Sequence, residues 1–325
     1  MAGPYAHILV CEQASKSATL DEDLRHLLET NACLRSLGAV SPDLPAIWDK
    51  LPVVGGGNWS NRFHTINDTR EKKIPTNLVV EKAFAEIRSM KDDKARFAGL
   101  VWLLGYVGHV VTDVVIHPVV RQCIKQATSQ GVSDGGVLHQ RVEIVMDTML
   151  VRALLKKEEV ADAPVLNWLE NANRDPERAQ VMAAWSKAIR EAYCESADPA
   201  LWYMYYVDAL SIANDSPFQF RGYTYPQFAD IPGFERTMYY DDLVLPNDTL
   251  GPYTGVFNLA VAKVADRWST VWNRWTSGAD LKGVIPNWDL NSGQNYTAGI
   301  EHDLWPEGPE LVLRPPVGGL PPPMA

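Results

Sequence analysis

Five histidines, His7, His64, His109, His117 and His139, carry the chemistry most legible in this chain, because several stand at chelating distance from carboxylates. In GYVGHVVTDVVIHP, His109, Asp113 and His117 follow one another at intervals of four, and in LHQRVEIVMD, His139 and Glu143 do the same. On an α-helix, residues i and i+4 lie on one face, so each such pair can grip one divalent ion. His109 and His117 are separated by ~12 Å of helix axis at ~1.5 Å per residue, too far for a single ion. The spacing therefore predicts two metals, one on His109 and Asp113, the other on His117 completed by His139 and Glu143 from a neighbouring helix. Imidazoles and carboxylates without thiolates suit a catalytic zinc or a related divalent ion.

A histidine in an apolar helix is ordinarily a packed or hydrogen-bonded core residue. Several ionisable groups on two apolar helices are a different matter, since each costs a few kcal/mol when buried without a partner, and a metal is a partner common to all.

The elements that must position these residues read as helices. Apolar residues recur at helical spacing over roughly 19 to 37, 78 to 92, 95 to 127, 137 to 157, 177 to 194, 199 to 213 and 255 to 275, and alternating strand patterns are scarce. This predicts an all-α, compact multi-helix domain over 1 to 313. Pro118 predicts a local break that aims His117. Between 214 and 254, and again after 280, the sequence reads as long irregular loops, and RPPVGGLPPPMA, over 314 to 325, as a mobile Pro-rich tail.

Forty acidic against 30 basic residues give a formal charge of −10, which argues against a broad grip on duplex nucleic acid. Cys11, Cys33, Cys123 and Cys194 are scattered, suggesting buried small hydrophobes and no thiolate metal site. No secretory signal is visible at the N-terminus, which leaves a cytoplasmic protein or a mature exported form. The uncharged stretch from 97 to 112 is 16 residues long, short of the ~20 that cross a bilayer, so a buried helix and no transmembrane segment is expected. GGG at 55 to 57 lacks the following Lys-Ser/Thr of a phosphate loop. His26 and His302 fall outside the pattern and are expected to face solvent, while Asp49 and Asp147 read as surface charges or as partners of ligand imidazoles.

Taken in order, His7, Asp43, His64, His109, Asp113, His117, His139 and Glu143 resemble the ligand series of the zinc-dependent phospholipases C and single-strand-specific nucleases. SPDLPAIW looks like the loop that carries the family's aspartate, and FHTIND like its His-Phe-(Ile/Tyr)-Asp segment. The resemblance covers about 2 to 157, and beyond 160 WDLNSG is only compatible with it. It implies a helical protein with a cleft holding two or three zinc ions: the first on Asp43, His64, His109 and Asp113, the second on His117, His139 and Glu143, the third on His7 with Asp113 bridging. The family completes its third site with an N-terminal Trp, absent here; the amine of Ala2, exposed if Met1 is removed, stands at the same remove from His7.

The resemblance implies hydrolysis of a phosphoric ester by a metal-acidified water, with Asp43 as the catalytic carboxylate that orients or deprotonates it. Tyr5, Trp59 and Phe63 are candidates for contact with substrate. Phospholipid head-group cleavage, with peripheral membrane contact, is the favoured expectation; a nuclease or nucleotidase and a tailoring enzyme on a small metabolite stay open.

Overall fold

The element around which the chain is built is a helix of 37 residues, α7 (Asp93–Ser129), in a computed structural model of the protein. The structure describes residues 3–49, 57–65, 67–69, 72–129, 131, 138–157, 163, 165–214, 243–246 and 250–305. The Asp92 side chain starts α7 by accepting from the Lys94 amide at 2.9 Å, satisfying one of the donors a helix start leaves open. From Ala98 to Val120 every residue of α7 is buried, so the helix is apolar on all sides because protein surrounds it on all sides. Its length and composition would cross a membrane, yet its apolar window lies wholly inside the fold.

Around α7 pack α1 (Pro4–Ala14), α3 (Ala32–Val40), α6 (Leu78–Ser89), α8 (Leu138–Leu150), α10 (Arg178–Tyr193) and α12 (Tyr253–Thr276). Further helices are α2 (Glu22–Thr30), α4 (Pro45–Trp48), α5 (Trp59–His64), α9 (Val165–Ala172) and α11 (Pro199–Asn214). Among the described residues the strands are three two-stranded antiparallel hairpins, Asn67–Thr69 with Lys72–Ile74, Leu243–Val244 with Leu250–Gly251, and Trp288–Asp289 with Gln294–Asn295. The fold is all-α, as the periodicity predicts.

Three details differ from the sequence expectation. The stretch from 19 to 37 is two helices, α2 and α3, separated at Asn31. Helix α1 leaves no periodic trace, since eight of its 11 residues are buried and it has hardly any polar face to mark a period. The expected break at Pro118 does not occur, and α7 runs through it. The proline still removes the donor for the Val114 carbonyl. Gly293 lies against that carbonyl with φ +75°, where a Cβ would stand 2.7 Å from the Val114 oxygen. The Trp305 indole donates to the next carbonyl, Val115, at 3.0 Å. The proline thus makes a seat for the segment from 285 to 305 without ending the helix.

Helices α3 and α7 meet backbone to backbone. A Cβ on Gly105 would lie 2.2 Å from the Arg35 carbonyl oxygen, and one on Gly38 would lie 2.0 Å from that of Trp102. Only glycine permits this approach. The irregular loops expected between 214 and 254 lie, for 215–242, outside the described residues, as does the tail from 314.

Candidate metal centre

Helix α7 projects His109, Asp113 and His117 from one face, and three neighbours bring the rest: α1 carries His7, α5 His64, and α8 His139 and Glu143. Asp43 closes the group from a 3-10 turn, Ser41–Asp43, that continues α3 and whose Ser41 hydroxyl accepts from the Trp102 indole at 2.8 Å. All eight side chains expected from the sequence converge.

Three of the imidazoles have their tautomer fixed by a backbone carbonyl, which can only accept. Nδ1–H donates to Ser60 O at 2.5 Å from His64, to Ala39 O at 2.8 Å from His109, and to Leu290 O from His117. A neutral imidazole with its proton on Nδ1 presents an Nε2 lone pair. Nε2 of His64 and of His109 accordingly face each other at 3.3 Å. Asp43 Oδ1 stands 3.2 Å from the first and 4.0 Å from the second, and Asp113 Oδ2 3.4 and 3.2 Å. Four lone-pair donors turned inward repel unless a cation lies between them. A tetrahedron with bonds of ~2.0–2.1 Å has edges of about 3.3 Å, and four of these five separations, at 3.2–3.4 Å, suit a zinc ion.

A second group joins His117, His139 and Glu143: Glu143 Oε1 is 3.4 Å from His117 Nε2 and 2.7 Å from His139 Nε2. A third joins His7, His109 and Asp113. His7 Nε2 lies 3.3 Å from Asp113 Oδ1 and 3.9 Å from Asp43 Oδ2, with its ring stacked on His109 at 3.8 Å between centroids. Asp113 is the hinge of the whole: Oδ2 faces His64 and His109, while Oδ1 faces His7 and, at 3.6 Å, His117.

Burial is nearly complete, with His7, His109, Asp113 and His117 at 0% exposure. Both ring nitrogens of His7, Asp43 Oδ1 and His117 Nε2 are buried without a hydrogen bond among the described residues, and a metal ion would satisfy such groups. Burial by itself would raise the Asp113 carboxyl, but His117, His109 and His7 around it hold it well below the usual carboxylate range. Burial likewise opposes the charge of Asp43, and His109 and His64 overcome it and lower that carboxyl. Burial pushes His109 and His117 down, which keeps both neutral and ready to ligate.

Asp147 is buried, not a surface charge. Its carboxylate accepts from the amides of Tyr5 at 3.2 Å and Ala6 at 2.8 Å, capping α1 one turn before His7. Burial pushes its carboxyl up to about 7 against those two bonds. Asp49 accepts from the Ser60 amide at 2.8 Å at the start of α5, and so supports His64 indirectly. Tyr5, Trp59 and Phe63, read as substrate contacts, lie in the core at 0, 5 and 1% exposure. Trp59 and Phe63 pack with Tyr193 and Trp202; an aromatic run beside a ligand histidine looks alike whether it faces a ligand or a core. Cys194 is exposed, while Cys11 and Cys123 are buried as expected. Ala2, the proposed amine donor, is outside the described residues.

Leu290 was invisible as a site residue. Its amide donates to the His64 carbonyl at 2.7 Å while its own carbonyl accepts from His117, so one peptide segment ties two ligand-bearing helices together. A backbone partner has no side-chain signature, and WDLNSG was only compatible with the resemblance.

Comparison with known proteins agrees with this geometry. No curated protein and no solved structure matches the chain significantly. A family model described as zinc-dependent phospholipase C matches residues 6–197, the span that carries every one of the eight convergent ligands. That span exceeds half of the chain, and the protein belongs to the zinc-dependent phospholipase C family of phosphoester-cleaving enzymes.

Proposed function

We propose that the protein hydrolyses a phospholipid, breaking the bond between the phosphate and the glycerol and releasing a phosphorylated head group. The observation that carries this is the inward-facing set of Asp43, His64, His109 and Asp113, in which four separations of 3.2–3.4 Å match the edges of a zinc tetrahedron. In the same reading His117, His139 and Glu143 hold a second ion, and His7 with the bridging Asp113 a third.

Bound zinc acidifies a water and neutralises charge on the phosphate. The chain's own contribution is positional. Ser60, Ala39 and Leu290 hold three imidazoles in the ligating tautomer. Asp43, ionised and turned with one oxygen to His64 and the other to His7, orients the attacking water and takes its proton. The reading includes peripheral contact with the lipid surface and, from the −10 charge, no use of duplex nucleic acid.

Untagged protein repleted with zinc should hold two or three ions, and the His109→Ala and His139→Ala variants fewer. It should hydrolyse phospholipid vesicles and bis(p-nitrophenyl) phosphate. Absence of zinc after repletion would refute the metal reading, and cleavage of a single-stranded oligonucleotide without any of lipid would move the substrate to nucleic acid.

A further inference from the structure

Among the eight ligands, the His139 side chain is the exposed one, at 36% against 10% or less for the others. It lines a cavity of about 860 Å³ between the C-terminal half of α7 and the segment from 289 to 302, a size suited to a small polar molecule. The i+4 series that supplies His109, Asp113 and His117 continues along the helix to Arg121 and Lys125, both in the cavity wall. These cations are ~6 and ~12 Å beyond His117 along the axis. Both are exposed, and among the described residues neither forms an ion pair or a hydrogen bond.

The opposite wall is ordered and rich in hydrogen-bonding groups. Asp289 accepts from Ser292 and Tyr296 at 2.9 Å each, which fixes the turn, while Asn291 and Gln294 line the space. His302, expected to face solvent, borders the cavity. It is held at φ +56°, an uncommon backbone state for a residue other than glycine, and its buried Nδ1 has no hydrogen-bond partner among the described residues.

We propose that this cavity is a subsite for the head group beyond the scissile phosphate, and that it selects a polyol carrying a second phosphate. Arg121 and Lys125 take the second phosphate, and the wall from 289 to 302 takes the hydroxyls. The inference rests on the phosphoesterase reading above. Charge-assisted contacts of this kind change affinity roughly tenfold or more each when fully formed.

The test is calorimetric titration of the zinc-loaded full chain with myo-inositol 1-phosphate and with myo-inositol 1,4-bisphosphate. The bisphosphate should bind roughly tenfold tighter or better, and the ratio should fall toward unity in the Arg121→Gln/Lys125→Gln double variant. Equal affinities in the wild type, or a preference that survives the double substitution, would overturn the subsite. Two further arms separate sources and readings. Hydrolysis of phosphatidylinositol 4-phosphate in phosphatidylcholine vesicles, against its deacylated soluble analogue, tells a lipid head group from a free metabolite. If bis(p-nitrophenyl) phosphate is cleaved but the bisphosphate is not preferred, the subsite alone fails; if nothing is cleaved while the preference depends on Arg121 and Lys125, the hydrolytic reading fails and the subsite stands.

Discussion

Gly105 of α7 faces Gly38 of α3 so closely that a Cβ on Gly105 would stand 2.9 Å from the Gly38 Cα and 2.2 Å from the Arg35 carbonyl oxygen. The obstacle is backbone, which cannot swing aside as a side chain can. This contact also sets Ala39 O against His109 Nδ1. Gly105→Ala is expected to destabilise the protein by about 1–3 kcal/mol through overpacking and to lower its zinc content by disturbing His109. Thermal denaturation and elemental analysis read the two effects, and a variant with wild-type zinc content would show that the helix contact does not govern the site.

Asp113 serves two faces of the centre and His139 one. Asp113→Ala should therefore lose more than one zinc equivalent per chain, and His139→Ala no more than one. Equal losses would contradict the bridging role.

Metal binding and stability should respond to pH in opposite senses. Burial opposes the charge of His7 and His64, but Asp113 and Asp43 beside them outweigh it and raise both above 6.5. Raised in the folded state, they contribute stability to the metal-free protein that is complete below about pH 6.5 and lost as pH climbs through their folded values. Zinc needs the same imidazoles neutral, so its affinity rises over that window. The gap in melting temperature between zinc-loaded and chelator-stripped protein should be wider at about pH 8 than at about pH 6. A gap that narrows would reverse the assignment.

Leu290 separates packing from positioning. Leu290→Ala keeps both backbone bonds and loses a fully buried side chain, which costs about 2–5 kcal/mol. Leu290→Pro also removes the amide that holds the His64 carbonyl. Zinc content should survive the first change and fall with the second; indifference to both would remove the C-terminal segment from the site.

The ligand series was legible because metal chemistry restricts residue types and helix geometry restricts spacing. The interval of four that links His109, Asp113 and His117, and again His139 and Glu143, announces a shared face wherever the rest of the chain goes. The long apolar runs likewise announced helices. Tertiary structure decided what no local rule encodes. It brought Asp43 and His64 to α7, left Tyr5, Trp59 and Phe63 in the core, and continued α7 past Pro118. It also supplied the carbonyls of Ala39, Ser60 and Leu290 that turn three imidazoles inward. Those partners are peptide groups that every residue possesses, and only the close approach of packed helices, permitted by Gly38 and Gly105, selects which ones serve.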